Sequence, residues 1–325
     1  DLFLPKDFAA EVCADLHLPA LMKLLARGVP SKVASSPTLE NLLCETFAQS
    51  GANNVPISAI SAVYDGLPQG DWLRADPVNL RLQRDQMLLS GVLPSAEEAR
   101  QLCASLNDYF AGQGMTFFTP YPQRWYLRLD QPPRIRTTPL PELFGRNIRG
   151  ALPTGEDAAH WHRLFNEMQM LLYSHPVNEA REARGELPIN SVWFWGEGKL
   201  ALPLRKDYQS ASSDDELVKM FAAAADISFS AWTSQWRESE GVQLLVWKGL
   251  RSAMQHGDLT AWRDALQDFE TGYAQPIWQA LRSGNIAQIK LEILAGNNSR
   301  CFTLTRGAPW TFWRRSKPLA QYSIV

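Results

Sequence analysis

Long apolar runs are absent from this sequence. No stretch approaches the roughly 18 residues a helix needs to cross a bilayer, and no charged-then-apolar leader opens it. The expectation is a cytoplasmic protein with no membrane partner. Charge of one sign is missing too. With 32 basic against 34 acidic side chains, nothing draws the chain as a whole to phosphate backbones or anionic lipid. No nucleic-acid partner is expected, and Arg314, Arg315 and Lys317 make one small basic patch. Cysteine is scarce: Cys13, Cys44, Cys103 and Cys301 lie far apart without a C-x-x-C pair, which excludes the common zinc and redox motifs. Cys44 and Cys103 sit among apolar helical neighbours and read as small core residues. Internal repeats and low-complexity segments are also absent.

Tryptophan, by contrast, is plentiful, at 12 residues. Trp193 and Trp195 form one cluster and Trp310 and Trp313 another. Large aromatics are mainly core and interface material, so packing is their first reading and a binding surface the second. A chain of 325 residues is long enough for a full core and a second lobe.

Apolar residues at helical spacing with a Gly stop predict a helix over 18–28. Thr38 is placed to cap the next one. Residues 55–61 read as a short strand, and Asp76-Pro77 as a chain break. Ser95 and Glu98 stand in capping-box spacing. From 117 to 128 the chain is aromatic and strand-like, and the following stretch to 155 is rich in Pro, Gly and Arg, as suits long loops. Thr154 is expected to cap a long helix reaching about 184. A helix after 213, a doubly buried strand over 242–247 and a helix kinked at Pro276 follow. The last element is a hairpin turning at Gly296-Asn297-Asn298. Helices alternating with strands predict a mainly parallel α/β sheet.

The most informative stretch is 174–198, SHPVNEAREARGELPINSVWFWGEG. His175, Asn178, Arg181 and Arg184 follow helical periodicity up to a break at Gly185. A buried strand then runs into Gly196-Glu197-Gly198, the kind of place where an open α/β sheet holds a ligand. Glu197 reads equally as a pocket base and as a solvated turn residue. The other four read as an anion-binding face or as a fold-specific hydrogen-bond network. Arg134, Arg136, Arg146 and Arg149 could meet a phosphorylated small molecule, or simply be solvated.

This stretch resembles a helix ending in His-Pro-x-Asn-Glu-x-Arg, a core strand and a Gly-x-Gly turn of the archaeal-type cofactor-independent phosphoglycerate mutases, of the alkaline phosphatase superfamily. Residues 18–28, 71–82, 95–110, 244–258 and 289–301 resemble further family elements in order. The resemblance implies an alkaline phosphatase-like α/β core sheet flanked by helices, formed by 1–75 and 156–325, with a smaller inserted α+β lobe over 76–155. It also implies a Ser or Thr nucleophile near Ser35, Ser36 or Thr38, and two divalent metals held by Asp and His at strand ends. Here Pro5 or Lys6 falls where the family has its first Asp. Ser252 takes the Asp position of Asp-x-x-x-His, leaving His256, and Ala295, Gly296 and Asn297 stand for Gly-Asp-His. No metal site, cofactor or catalytic residue is therefore expected, and the function reads as a pseudoenzyme: a regulatory or binding protein. It is similar to bacterial regulatory proteins of the RpfE type, with an unidentified protein partner or a small phosphorylated ligand. Two alternatives are a phosphomutase or phosphohydrolase with relocated metal ligands, and a protein-interaction module using 310–317.

Overall fold

The computed structural model describes residues 12–13, 15–32, 38–48, 56–144, 146–198, 203–294, 299–317, 319 and 322. In chain order the helices and strands begin with α1 (Pro19–Arg27), β1 (Val29–Lys32), α2 (Leu39–Phe47), α3 (Ile57–Tyr64), β2 (Asp71–Gln83) and β3 (Gln86–Gly91). Next come α4 (Ala96–Tyr109), β4 (Met115–Tyr121), β5 (Arg124–Leu129), β6 (Ile135–Arg136), β7 (Thr154–Gly155), α5 (Ala158–Tyr173), α6 (Pro176–Ala183) and β8 (Ser191–Trp195). The remainder is β9 (Ser210–Ser213), α7 (Glu216–Ala224), β10 (Ser228–Ala231), β11 (Gln243–Val246), α8 (Gly249–His256), α9 (Leu259–Phe269), α10 (Gln275–Ser283), β12 (Gln288–Ile293) and β13 (Arg300–Thr305). No described helix is long and apolar enough to cross a membrane.

The contacts divide the chain into two compact units, one of Asp1–Leu43, Lys206–Ala222 and Asp226–Val325, the other of Cys44–Arg205 and Ala223–Ala225. These limits do not coincide with the expected lobe at 76–155, because β8 and the first residues of β2, on either side of that range, belong to the same sheet as β3, β4 and β5. Its centre is β2. Residues 71–74 pair with β5, 78–83 with β3, and 74–78 with β8, all antiparallel. The Asp76-Pro77 break is therefore corrected: both residues lie inside a 13-residue strand. Pro77 pairs with Val192 alone among the described strands, so its missing N–H falls where the ladder is one-sided. The aromatic stretch forms the hairpin β4–β5 as expected. Behind β8, Trp161 meets Phe194 and Phe165 meets Trp193 edge to face, at centroid separations of 5.1 and 6.1 Å. Trp193 and Trp195 are buried, as packing residues should be.

The first unit holds the parallel pairing. Its sheet β10-β9-β11 is parallel throughout, and β1-β13-β12 is antiparallel. Parallel pairing is thus confined, among the described strands, to one three-stranded sheet, and the expectation of a mainly parallel sheet is corrected. The strand expected over 242–247 is β11, Gln243–Val246, half-buried rather than covered on both faces. The hairpin β12–β13 forms as expected, with its Gly296-Asn297-Asn298 turn outside the described residues.

Two further expectations change. Residues 55–61 do not make a strand; the described part begins α3, six of whose residues are buried. A short apolar run covered on every side carries no periodicity to separate helix from strand. Thr154 caps no helix: it pairs with Arg136 in β7, and α5 begins after Asp157 and stops at Tyr173. Thr38 does cap α2, its Oγ1 accepting from Asn41 N at 3.2 Å.

Pro276 acts as foreseen, with a specific result. It cannot donate to Gly272 O, and the chain passes through a π turn, Glu270–Ala274, before α10. The freed Gly272 carbonyl accepts from Trp236 N at 2.8 Å. A Cβ at Gly272 would stand 2.1 Å from Ser234 O, so no larger residue fits. The same turn aims the fully buried Glu270 at the N-terminus of α1, where its oxygens accept from Ala20 N (2.8 Å) and Leu21 N (2.9 Å). α1 has no side-chain cap of its own, so this distant carboxylate satisfies its first free donors and opposes its positive end. Around it pack Leu21, Leu24, Leu25, Trp262, Leu266, Trp278 and Leu304. Glu270→Ala should therefore cost about 2–4 kcal/mol in denaturant unfolding, with two buried donors left unmet, and Glu270→Gln clearly less. An unchanged unfolding midpoint in the alanine variant would show that the cap carries no stability.

Candidate functional site

The polar residues of 174–198 do come together, on a helix end. α5 stops at Tyr173, and His175 caps α6, its Nδ1 accepting from Val177 N at 3.2 Å with Pro176 in the first turn. With Nδ1 as acceptor, Nε2 carries the proton and donates to Ser105 Oγ at 2.9 Å. Burial pushes the imidazole below its usual value and favours this neutral form.

Asn178 is 1% exposed and fully engaged. Its amide donates to Leu172 O (2.7 Å) and Ile189 O (2.9 Å), and its Oδ1 accepts from Ile189 N (2.7 Å). One side chain thereby fastens the end of α5 to the chain entering β8. Arg181 donates from Nε to Leu187 O at 2.9 Å and from Nη1 to Glu98 Oε2 at 2.9 Å. Arg184 reaches Glu98 Oε1 at 2.7 Å and forks onto Glu186. Glu98 is the centre of the group. It completes the expected capping box by accepting from Ser95 N at 2.7 Å while receiving both guanidinium groups. Burial would raise its carboxyl, but the Ser95 backbone and the two arginines outweigh that and hold it below the usual range.

Glu197 is engaged as well. It accepts from Thr137 N at 3.0 Å and from Thr137 Oγ1, and Thr137 Oγ1 in turn accepts from Gly196 N. Gly196 has φ +76°, and a Cβ there would press to 3.2 Å on Ile57 and Ser58. That approach lets Gly196 O accept from Ser58 N (3.0 Å) and Ser58 Oγ (2.6 Å), so the turn caps the start of α3. All five candidates thus have their polar groups held by the protein itself. For His175, Asn178, Arg181 and Arg184 the geometry is that of a hydrogen-bond network, and Glu197 is bound to Thr137 rather than solvated alone. The arginine-rich loop is similarly engaged in part: Arg134 pairs with Glu156 and with Asp157.

Sequence reasoning missed a second buried group beside β8. Arg74 forks onto Asp76 at 2.7 and 2.8 Å, Trp195 Nε1 donates to Asp76 Oδ2 at 2.8 Å, and the guanidinium lies over the Trp195 ring at 5.0 Å. The i, i+2 spacing of Arg74 and Asp76 along a strand was the available signal. Asn190 was missed too; its amide pairs with both backbone groups of Leu80 and prolongs the β2–β8 ladder.

At the carboxyl ends of the parallel strands the chemistry is different. Asp214 follows β9 and accepts from Lys248 N at 2.9 Å; Asp215 pairs with Lys248 Nζ at 3.1 Å. Burial pushes the Asp214 carboxyl up, and likewise Glu40. Trp232 follows β10 and Trp247 follows β11. Trp232 stacks on Tyr273 at 4.0 Å, and Trp247 on Phe269 at 4.7 Å, within 15° of parallel. Among the described residues no group of three or more His, Cys, Asp or Glu could hold a metal ion. Ser252 lies on α8; Pro5, Lys6, Ser35, Ser36, Gly296, Asn297 and the His256 side chain lie outside the description.

Two outcomes follow for the helix-end network. Arg181→Met leaves Glu98 without its buried partner and should cost about 3 kcal/mol, with a smaller loss for the half-exposed Arg184→Met; equal effects would contradict the network. Because the folded state holds His175 neutral, the unfolded chain binds the extra proton as pH falls below about 6.5, and stability falls with it. The Glu98 contribution is present above its unfolded value and is lost only at more acid pH, as its lowered folded value is crossed. His175→Asn replaces the capping Nδ1 with an oxygen that does not titrate, so thermal unfolding midpoints should show a shallower decline from pH 7 to about 5.5.

No family model matches the chain. Curated 2,3-bisphosphoglycerate-independent phosphoglycerate mutases match part of it. That of Methanosarcina barkeri is 29% identical over 123 residues, 37% of this chain and 31% of that protein. A probable one of Geobacter sulfurreducens is 28% identical over 131 residues, 39% and 33% of the two chains. The matched stretch therefore spans about a third of these relatives' length. Among solved structures, the PH0037 protein from Pyrococcus horikoshii superposes with TM-score 0.53 at 13% identity, over 94% of this chain and 85% of that one. The cofactor-independent phosphoglycerate mutase of Thermoplasma acidophilum gives 0.46 at 16%, over 95% and 87%. The former likeness speaks for the fold alone and agrees with the α/β class expected. The chain is a distant relative of the 2,3-bisphosphoglycerate-independent phosphoglycerate mutases.

Proposed function

We propose that this chain is a non-catalytic, regulatory or binding relative of those mutases, engaging a protein partner or a small phosphorylated ligand without a metal cofactor. The observation that carries the reading is the set of side chains at the carboxyl ends of β10 and β11. Two-metal phosphoryl transfer requires several carboxylates and imidazoles at strand ends, placed a few ångströms apart. Trp232 and Trp247 stand directly after these strands, in contact with Tyr273 and Phe269. Indole rings stacked on other rings offer no lone pairs to a hard divalent ion. The sequence supports the same reading at Ser252, Gly296 and Asn297, where a hydroxyl, a glycine and a neutral amide replace Asp, Asp and His of the resembling motifs. Among the described residues, the donors at the parallel strand ends are Asp214 and Asp215, both engaged by Lys248, and they make no set for two divalent ions.

The test is metal-dependent stabilisation and turnover. A ion bound only to the folded chain must raise its melting temperature. Manganese and zinc, added in turn to chelator-treated protein, are expected to leave the melting temperature unchanged, with no turnover of 3-phosphoglycerate or p-nitrophenyl phosphate. Stoichiometric metal binding together with ester turnover, both lost in His256→Ala, would establish the phosphomutase or phosphohydrolase alternative instead.

A further inference from the structure

Trp310 and Trp313, read from the sequence first as packing residues, are the opposite: Trp310, Phe312 and Trp313 are 61%, 71% and 71% exposed. Aromatic rings this exposed are ordinarily mobile or buried against something, yet these three project from a tightly tied turn. Ala308–Trp310 is a 3-10 turn, Thr311 Oγ1 donates to Ala308 O at 2.7 Å, and Arg314 N donates to Thr311 O at 3.0 Å. Its base is fastened to the end of α1. Arg27 Nη1 donates to Pro309 O at 2.5 Å, and Arg314 Nη1 to Arg27 O and Gly28 O at 3.3 Å each. Arg314 thus meets carbonyls left free at a helix C-terminus. Arg315 and Lys317 are exposed and make no ion pair among the described residues.

We propose that this knuckle is a docking element for an anionic lipid surface. Three considerations select that occupant. Indole and phenyl rings flanked by cations are the composition of membrane–water interfaces, where the rings settle at headgroup depth and the cations meet anionic lipid. Rings that stand out from a fixed turn match a deformable acceptor and need no preformed pocket in a partner. The charge is local: the balanced total gives no attraction of the whole chain, and Arg315 and Lys317 supply it where the rings are. The sequence-level expectation of no membrane partner rested on the lack of a spanning helix and on net charge, and neither bears on an interfacial knuckle.

The experiment is co-sedimentation of the whole chain with vesicles of phosphatidylcholine alone and of phosphatidylcholine mixed with phosphatidylglycerol. Wild-type protein should sediment with the anionic vesicles and not the neutral ones, and binding should weaken as salt rises from about 0.1 to about 0.5 M. The triple variant Trp310→Ala, Phe312→Ala, Trp313→Ala and, separately, Arg315→Glu with Lys317→Glu should each bind at least tenfold more weakly. Because these side chains are exposed, both variants should keep the wild-type melting temperature. Failure of the wild-type chain to bind, or equal binding by the triple variant, overturns the proposal. A fall in solution mass of the triple variant without lipid binding by the wild type also overturns it, in favour of contact between copies of the chain. None of these readings depends on whether the chain turns over a phosphate ester, so this proposal and the non-catalytic reading fail separately.

Discussion

The ion pair of Arg181 with Glu98 organises the Cys44–Arg205 unit. Arg181 leaves only 5% of its side chain exposed, and a guanidinium so placed is tolerable only if its donors are met. Glu98 meets them from α4, Leu187 O meets them from the chain entering β8, and Glu98 at the same time caps its own helix. Three segments are thus positioned by one requirement. With α6 fixed, Asn178 ties α5 to Ile189, Ile189 leads into β8, and β8 completes the pairing of β2. Removing either charge takes from its partner the better-buried half of the pair, leaving Glu98 to Ser95 N and the half-exposed Arg184, and Arg181 to Leu187 O and Glu186.

Much of this was legible in the sequence where the cause is local. A Ser and a Glu three residues apart announce a capping box because both bonds close within one turn, and Ser95 and Glu98 form it. Thr38 caps α2 for the same reason, and a Gly-Asn-Asn stretch between two apolar runs joins paired strands. The failures share a non-local cause. Pro77 ends strands on local grounds, but β2 continues through it because β8 pairs that segment from more than a hundred residues away. The 55–61 run is mostly apolar, and its serines Ser58 and Ser61 are buried too, so burial on all sides erased the pattern that would have marked α3.

The candidate site divides the same way. Helical spacing grouped His175, Asn178, Arg181 and Arg184 correctly, since periodicity is a local property. Their roles depend on Ser105, Ile189, Leu187 and Glu98, and no spacing rule connects those positions to them. Glu197 is ambiguous on spacing alone, because its partner Thr137 lies 60 residues away along the chain. The Arg74–Asp76 pair needs a strand that runs through Asp76-Pro77, and Pro77 read locally places a break there; only the continuous β2 brings Arg74 and Asp76 to one face.

This division also explains how a chain can keep the look of a phosphoryl-transfer protein in one stretch and lose it in others. A buried network resists change one residue at a time: Asn178→Ala would strand Ile189 N, and Arg181→Ala would take a donor from Leu187 O and the buried cation from Glu98, each at the price of a desolvated group. Such residues persist for stability alone, whatever the protein does. Metal ligands at strand ends have no such protection. Carboxylates held close together repel one another when no cation is bound, so without metal chemistry to maintain them their replacement relieves strain. Rings such as Trp232 and Trp247 gain apolar contact by stacking on Tyr273 and Phe269. On this account the resemblance at 174–198 records the physical demands of the fold, and function has to be sought at surfaces that the fold does not require, such as Trp310, Phe312 and Trp313, whose exposure adds nothing to folding.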